Sequence, residues 1–282
     1  MSAEVVDFPD QSVPLGLYTL ADLPQRGSVA QQAFGSGWPE LDEIFKFYLG
    51  QFVVLTGIAG HGKSTFMLNV LLKMALEKSV GSFLYAPENE NHMREKLSQI
   101  WRGTKRQFEH FCQSQCTIQS AIPHAQYEPA HTIDWVLDRA AWAVANRRAE
   151  MVFIDPWNEL DRARKRDEMM TDYIGRCLML IKDFCRSMNA VVIVAAHPTK
   201  AISANGGRVV SLADIEGSMN WYNKCDNGLI VVRDAGNNTA KVISAKVREI
   251  GAGKLGTCHF TVEAATGRFT PQYGSDSDAL QF

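Results

Sequence analysis

Residues 52–65 read FVVLTGIAGHGKST, a short apolar run followed by a glycine-rich turn that ends in Lys-Ser-Thr. The spacing G-x-x-x-x-G-K-[ST] is typical of a phosphate-binding P-loop. Gly57 and Gly62 allow the backbone to curl, so that its N–H groups face phosphate oxygens. Lys63 can place its charge on the outer phosphates, and Ser64 can ligate Mg²⁺. A glycine-rich surface turn is the alternative, but it leaves the Lys-Ser-Thr and both flanks as coincidence.

An apolar helical pattern follows the loop, so strand, loop and helix come in the order that a P-loop requires. We expect the helix to begin near Lys63, where its positive N-terminal end adds to the attraction for phosphate. The predicted nucleotide-binding residues of the loop are Gly57, Ile58, Ala59, Gly60, His61, Gly62, Lys63, Ser64 and Thr65.

Composition places the chain among ordinary globular proteins. It has 282 residues, of which 46% are hydrophobic and 21% charged, which is ample for a large core. The formal net charge is −2, so any contact with nucleic acid must come from a local basic patch. The six cysteines are scattered; Cys112 and Cys116 lie near His110, but no second ligand pair has zinc-site spacing, which favours reduced thiols.

No apolar run approaches the roughly 20 residues that a membrane span needs. The acidic N-terminal stretch MSAEVVDFPD lacks the basic and apolar pattern of a signal peptide. The sequence therefore predicts a cytoplasmic protein with no membrane partner. A viral protein acting in host cytoplasm fits as well, and a mitochondrial location stays open although no clear transit peptide is present.

Apolar runs that alternate with helical patterns predict an α/β fold with a mainly parallel central sheet. The runs that look like buried parallel strands are residues 82–86, 151–155, 190–196 and 228–232. Helical patterns cover residues 131–147 and 167–186. Near the C-terminus, runs joined by short Gly-containing turns predict antiparallel edge strands, at residues 239–247, 256–262 and 267–270.

The domain organisation predicted from these patterns is simple. Residues 1–30 form an N-terminal arm or linker with one short helix near Thr19–Leu23, and residues 31–272 form a single nucleotide-binding domain. Residues 273–282, YGSDSDALQF, form a disordered acidic tail.

Acidic residues after two of the predicted strands are candidates for chemistry. Asp155 ends a buried strand and can hold the Mg²⁺ shell. Glu88 follows the second strand and can orient or deprotonate the attacking water, and Glu90 is the less favoured candidate. The alternatives are a solvated loop charge or an acidic residue favoured at a helix N-terminus. His197 caps the fourth strand, where it can contact the γ-phosphate or simply be a satisfied histidine at a strand end.

Basic residues suggest two further contacts. Lys246 and Arg248 alternate along a predicted strand, so both side chains lie on one face. They form either an arginine finger that reaches a neighbour's nucleotide or charges that deter aggregation of an edge strand. Two basic loops leave the carboxyl ends of parallel strands, the edge where α/β proteins bind ligands. They are residues 161–166, with Arg164 and Lys165, and residues 200–211, with Lys200 and Arg208, and they are either nucleic-acid contacts or solvated surface loops.

Taken together, these segments resemble the motor domain of hexameric replicative helicases, namely the DnaB class, the mitochondrial helicase Twinkle and the phage primase-helicases. The matching pieces cover roughly residues 35–270 in family order. They are GWPELDEIF, GQFVVLTGIAGHGKST, YAPEN, FIDPWNEL, AAHPTK, LADIEGSMNWYNKCDNGLIVVRD and SAKVREIGAGKLGT. The class normally carries an N-terminal primase, primase-like or collar domain, and here about 30 residues precede the match.

The resemblance implies a RecA-like, three-layer α/β/α P-loop NTPase that binds ATP and Mg²⁺ between the subunits of a homo-oligomer, expected to be a hexamer. By that resemblance, Lys63 and Ser64 match the phosphate and Mg²⁺ ligands, and Asp155 matches the Walker B acid. Glu88 matches the catalytic glutamate, and His197 matches the polar γ-phosphate sensor.

The same resemblance assigns the cations. Arg248, with Lys246 two residues before it, matches the finger pair that acts on a neighbouring subunit. Residues 200–211 match the DNA loop of the central channel, with single-stranded DNA as the partner.

The function expected from all this is an ATP-dependent DNA helicase motor that moves on single-stranded DNA during replication. A separate primase or other replisome protein is a candidate partner. Two alternatives share the P-loop. One is a recombinase-like ATPase of the RecA superfamily, and the other is a replication loader that uses its nucleotide as a structural clip without unwinding DNA.

Overall fold

A computed structural model describes residues 28–87, 90–119, 131–199, 210–215 and 218–272. Within these ranges one nine-stranded sheet crosses the molecule in the order β3-β2-β4-β5-β1-β6-β7-β8-β9. The strands from β3 to β6 are parallel, and β7, β8 and β9 continue the sheet as an antiparallel edge. The strands are β1 (Phe52–Thr56), β2 (Gly81–Tyr85), β3 (Cys116–Gln119), β4 (Ala149–Ile154), β5 (Val191–Ala195), β6 (Asn227–Asp234), β7 (Thr239–Val247), β8 (Gly256–Val262) and β9 (Phe269–Pro271).

Helices cover both faces of the sheet. They are α1 (Val29–Gln32), α2 (Pro39–Asp42), α3 (Lys63–Lys78), α4 (Glu90–Ile100), α5 (Lys105–His110), α6 (Ile133–Arg147), α7 (Met170–Met188) and α8 (Ser218–Lys224). Short 3₁₀ turns lie at Trp157–Glu159 and Leu212–Asp214, and a π turn lies at Phe111–Gln115.

The alternation of side chains along β1 shows how the layers form. Val53 and Leu55 join the core cluster that includes α3, α4 and α5, whereas Phe52 and Val54 join the cluster that includes α6, α7 and α8. Because a central parallel strand is buried on both faces, every residue of β1 is apolar or hydrogen-bonded: the Thr56 hydroxyl donates to the Ala196 carbonyl at 2.8 Å.

The side chain of Asn69 links the antiparallel edge of the sheet to the P-loop helix α3 through hydrogen bonds. Asn69 of α3 donates to the carbonyls of Thr65, at 2.8 Å, and Gly267, at 2.9 Å. Its Oδ1 accepts from the Phe269 backbone N–H at 3.0 Å. The β8–β9 hairpin is thereby held against the first turns of α3.

The predicted α/β fold with a mainly parallel sheet and antiparallel C-terminal edge strands is confirmed. The short strand β3 was missed, and it pairs in parallel with β2 at the far edge of the sheet. The predicted helix near Thr19–Leu23, most of the predicted arm 1–30, and the predicted tail 273–282 lie outside the described residues. Over the ranges described above, no helix combines the length and apolarity that crossing a bilayer requires.

Candidate nucleotide site

The P-loop joins β1 to α3, and its glycines adopt backbone conformations that other residues rarely take. Gly57, Gly60 and Gly62 have φ angles of 145°, 81° and 83°. A Cβ atom at Gly57 would lie 2.3 Å from the Val231 carbonyl oxygen of the neighbouring strand, so only glycine fits there. A Cβ at Gly60 would meet no described atom within 4 Å, so this side of the loop has room for a ligand.

Lys63 lies beneath the loop and is only 4% exposed. Its ammonium group donates to the carbonyls of Gly57, at 2.8 Å, and Ile58, at 3.1 Å. It also lies 3.1 Å from Nδ1 of His197 at the end of β5. Because an ammonium group can only donate, Nδ1 must be the acceptor in this contact.

The protonation state of His197 fits that role. Burial and the nearby Lys63 charge, in that order, lower the pKa of His197 below its ordinary value. The imidazole is therefore neutral near pH 7 and can accept from the ammonium. The structure thus brings the two predicted γ-phosphate contacts side by side.

Ser64 and Asp155 also meet, although 91 positions separate them in the chain. The Ser64 hydroxyl hydrogen-bonds the Asp155 carboxyl, which is 4% exposed. Burial raises the pKa of Asp155, and the Ser64 hydrogen bond and the charges of Lys63 and Lys96 oppose that rise.

These two side chains fit a magnesium ion. A hydroxyl and a carboxylate are hard oxygen ligands, the kind that Mg²⁺ prefers. A buried carboxyl whose charged form is disfavoured is also one that a bound cation would stabilise. The donor set of Ser64 and Asp155 therefore suits the predicted metal.

Two residues at this edge were not predicted. Asn158 accepts from the His197 backbone N–H, with its Oδ1 at 3.5 Å from the nitrogen. Arg233 donates its backbone N–H to Nδ1 of His61 at 3.3 Å, and its side-chain Nε is buried with no hydrogen-bond partner in the described part of the chain. Both lie at or just past the carboxyl ends of strands, which is the signal that could have found them.

His61 faces the same site from within the P-loop. Burial, and secondarily the charge of Lys63, lower the pKa of His61. Like His197, it is neutral near pH 7 and can accept a hydrogen bond there.

Lys246 and Arg248 lie at the opposite end of the sheet. Val247 pairs with Asn227, and Asn227 pairs with Val53 near the start of β1, whereas the P-loop follows Thr56. At about 3.3 Å per residue, roughly 10 Å of strand separates that level from the beginning of the loop. The predicted finger pair therefore lies away from the P-loop of its own chain, and its side chains contact the carbonyls of Tyr222 and Asn223 instead.

The remaining predicted residues are only partly described. Arg164 and Lys165 are exposed in the segment between β4 and α7, at the P-loop edge. Glu88, Lys200 and Arg208 lie outside the described residues. Both flanks of the 200–209 segment lie near His197: Thr199 donates to the Asp214 carbonyl at 2.8 Å, and Pro198 bridges to Ile215.

Comparison with known proteins decides the family. The family described as AAA domain matches residues 24–202. The chain belongs to this AAA domain family. Membership, together with the P-loop geometry, makes the carboxyl edge of β1 a nucleotide-binding site.

One curated relative is a homolog of Twinkle. The Twinkle homolog protein, chloroplastic/mitochondrial, of Arabidopsis thaliana is 29% identical over 257 residues. The alignment covers 83% of this chain but 36% of that protein, so the chain spans about a third of the length of its relative.

Solved structures share the fold. One of them, described as an ATPase domain, superposes with a TM-score of 0.66 at 19% identity, over 83% of this chain and 89% of that one. A second structure is that of a DnaB-like replicative helicase, described together with its interactions with primase. It superposes with a TM-score of 0.67 at 19% identity, over 83% of this chain and 62% of that one. The RecA-like, three-layer α/β/α fold and the resemblance to replicative helicase motor domains are confirmed.

Proposed function

We propose that this AAA domain protein is an ATP-dependent DNA helicase motor that hydrolyses ATP between adjacent copies of itself in a ring, expected to be a hexamer. The observation that carries the proposal is the separation of the two halves of the site. Lys63, Ser64, Asp155 and His197 converge at one end of the sheet, whereas Lys246 and Arg248 lie at the other. Two copies placed head to tail would bring the two halves together.

The residues at the P-loop edge each have a defined task. The loop N–H groups and Lys63 bind the phosphates, for which the ammonium must exchange its carbonyl contacts for phosphate oxygens. Ser64 and Asp155 would hold Mg²⁺, which when bound stabilises the charge developing on the phosphate oxygens. His197 accepts from Lys63, so it is placed to sense any movement of that ammonium on phosphate binding.

Two roles rest on the resemblance to the helicase motors, and a third, that of Arg233, rests on the structure. Glu88 would orient or deprotonate the attacking water. Arg248 of the adjacent copy, with Lys246, would stabilise the charge on the transferred phosphoryl group, a contribution worth about 10³–10⁵ in turnover for known fingers. Arg233, whose Nε has no partner in the described ranges, would add a contact to the bound nucleotide.

Single-stranded DNA is the proposed polymer substrate. The segment that carries Lys200 and Arg208 begins three residues after His197, and the exposed Arg164 and Lys165 lie at the P-loop edge. Cations such as these bind the phosphate backbone, so they would bind single-stranded DNA of any base sequence. The ring size, a separate primase partner and a cytoplasmic location belong to this proposal as well.

Strand displacement on a forked duplex tests the proposal. We expect ATP-dependent unwinding by the wild-type chain, stimulation of its ATPase by single-stranded DNA, and loss of both in Lys63→Ala. Lys73→Ala is the matched control, because Lys73 lies on the same helix in a surface ion pair with Glu77. A monomer that hydrolyses ATP at the same rate with and without DNA would overturn the proposal.

A further inference from the structure

The proposed finger is held in place by a cluster of charges at the C-terminal end of α8. Asp226 lies at the centre of this cluster. Its Oδ1 is 2.9 Å from Nζ of Lys182 and 3.2 Å from Nη1 of Arg248, and its Oδ2 accepts from the Phe52 backbone N–H at 3.0 Å. The side chains of Asp226 and Lys182 are each 8% exposed, whereas that of Arg248 is 36% exposed.

Carbonyls at and just past the end of α8 complete the cluster. Nη2 of Arg248 donates to the Asn223 carbonyl at 2.7 Å, and Lys182 donates to the Lys224 carbonyl at 3.1 Å. Lys246 donates to the Cys225 carbonyl at 2.7 Å and to the carbonyl of Tyr222, whose ring lies 4.9 Å from the ammonium. Helix C-termini expose carbonyls that lack helical partners, and cations commonly cap them.

This arrangement fixes the guanidinium without cancelling its charge. Two separate nitrogens of the planar group are anchored, one on a carboxylate and one on a carbonyl, which sets its plane and direction. Lys182 already neutralises Asp226. Three cationic side chains, Lys182, Lys246 and Arg248, surround the single carboxylate of Asp226, so the guanidinium is anchored without a carboxylate of its own.

We propose that Asp226, neutralised by Lys182, is a positioning residue that aims Arg248 at the nucleotide of an adjacent copy. The inference rests on the proposed function, because it requires Arg248 to act across a subunit boundary. A long side chain at a strand end would otherwise sample many rotamers, and holding a group in its reactive geometry can be worth orders of magnitude in rate.

The test is a double-mutant cycle on ATP turnover in the presence of single-stranded DNA. We expect Asp226→Asn to lower kcat by about 10- to 100-fold while the KM for ATP stays within about 2-fold, because only the transition-state contact is misplaced. The double variant Asp226→Asn/Arg248→Ala should be no slower than Arg248→Ala alone, since Asp226 acts through Arg248. Asp183→Asn, an exposed neighbour of Lys182 on α7, is the matched control and should keep wild-type turnover.

Loss of the carboxylate leaves the buried Lys182 without its anionic partner, which could unfold the variant. The variant Lys182→Met/Asp226→Asn removes both charges together and should show the same selective loss of kcat, with circular dichroism as the check on folding. If Asp226→Asn or this charge-free variant folds and turns over ATP like the wild type, the inference is wrong. It is also wrong if the losses multiply in the cycle with Arg248→Ala.

The failure of the proposed function looks different. If Arg248→Ala hydrolyses ATP at the wild-type rate, Arg248 is not an arginine finger and the proposed function fails, whatever the Asp226 variants do. If ATP turnover is slow in Arg248→Ala but normal in Asp226→Asn, Arg248 still acts as a finger and only the positioning role of Asp226 is wrong.

Discussion

At the scale of single residues, the P-loop edge keeps one ammonium and one carboxyl almost completely out of water. Lys63 and Asp155 are each 4% exposed. Burial of ionised groups costs stability unless partners compensate, and here the partners are loop carbonyls, a neutral histidine and a serine hydroxyl. Such perturbed electrostatics are common at functional sites.

Replacement of Asp155 should separate stability from activity. Because burial raises the pKa of Asp155, its stabilising contribution is greatest below the ordinary carboxyl pKa and is lost as pH rises through the raised value. At neutral pH the charge costs stability, so Asp155→Asn should raise the melting temperature. It should also lower ATP turnover by about a hundredfold or more, because the metal site is lost.

Thermal unfolding with and without Mg²⁺ and ATP measures both effects. The wild type should be stabilised by the ligands, and Asp155→Asn should not. Asp138→Asn, on the exposed face of α6, should behave as the wild type. A destabilised Asp155→Asn that still responds to Mg²⁺ would contradict this description of the site.

His197 should make stability depend on pH in the opposite direction. Its pKa is lowered in the folded chain, so its contribution is complete above the ordinary value of about 6.5 and is lost as pH falls through the folded value. Urea unfolding at several pH values should show a steeper loss below about pH 6.5 for the wild type than for His197→Gln. His61 has the same direction of shift, so the variant should keep part of the slope; equal slopes would contradict the prediction.

Some of these residues could be predicted from the sequence and others could not. Lys63 and Ser64 follow from motif spacing, and Asp155 and His197 follow from positions at the ends of apolar strands. Asp226 and Lys182 could not be found this way, because their pairing joins residues 44 positions apart through the packing of α7 on α8. A charge in the sequence does not reveal its partner across such a distance.

At the scale of elements, the P-loop backbone depends on its contact with β6. Gly57 combines a φ of 145° with the approach to the Val231 carbonyl, whereas Gly60 has a positive φ but open space around it. The first glycine is therefore constrained by packing as well as by backbone conformation.

Alanine at the two glycines should separate these causes. Gly57→Ala should lower the free energy of unfolding by about 3 kcal/mol or more, since strain and a clash add. Gly60→Ala should lower it by about 1 kcal/mol, from backbone strain alone. Urea denaturation measures both, and similar losses for the two variants would show that the approach to Val231 does not constrain the loop.

The elements themselves were predicted where their apolar patterns are long. The strands on either side of β1 are continuous apolar runs, and α6 and α7 have clear helical periodicity. The strand β3 was missed because Cys116–Gln119 is short and no residue of it is fully buried. The helix α7 starts later than the predicted residue 167 because Asp167 adopts a positive φ and Met169 is the N-cap, and it ends at Met188, two residues beyond the prediction.

At the scale of the whole molecule, the P-loop and the loops predicted to bind ligands lie at one edge of the parallel sheet, and the predicted finger pair lies at the other. If cations at the P-loop edge bind DNA phosphates, the affinity for single-stranded DNA should fall as the salt concentration rises. For single strands the slope of log K against log salt is about −0.7 per phosphate contact. Arg164→Ala/Lys165→Ala should therefore reduce the slope by about 1.4, measured by fluorescence anisotropy over a salt titration.

The control for that experiment lies at the opposite edge. Arg147 ends α6 just before β4 begins, and it is exposed. Arg147→Ala should leave the salt slope unchanged. A reduction of about 0.7 in Arg147→Ala, half that of the double variant, would indicate that net charge alone, and not the P-loop edge, attracts DNA.

The central claim is that ATP hydrolysis needs a cation from an adjacent copy, and one mixture tests it most directly. The ATPase activity with single-stranded DNA is measured for Lys63→Ala, for Arg248→Ala, and for an equal mixture of the two after subunit exchange. Each variant alone should retain at most about a thousandth of wild-type turnover, and the mixture should regain activity, because about a quarter of its interfaces would pair an intact P-loop with an intact finger. A mixture as inactive as its components, or full activity of Arg248→Ala alone, would contradict the account.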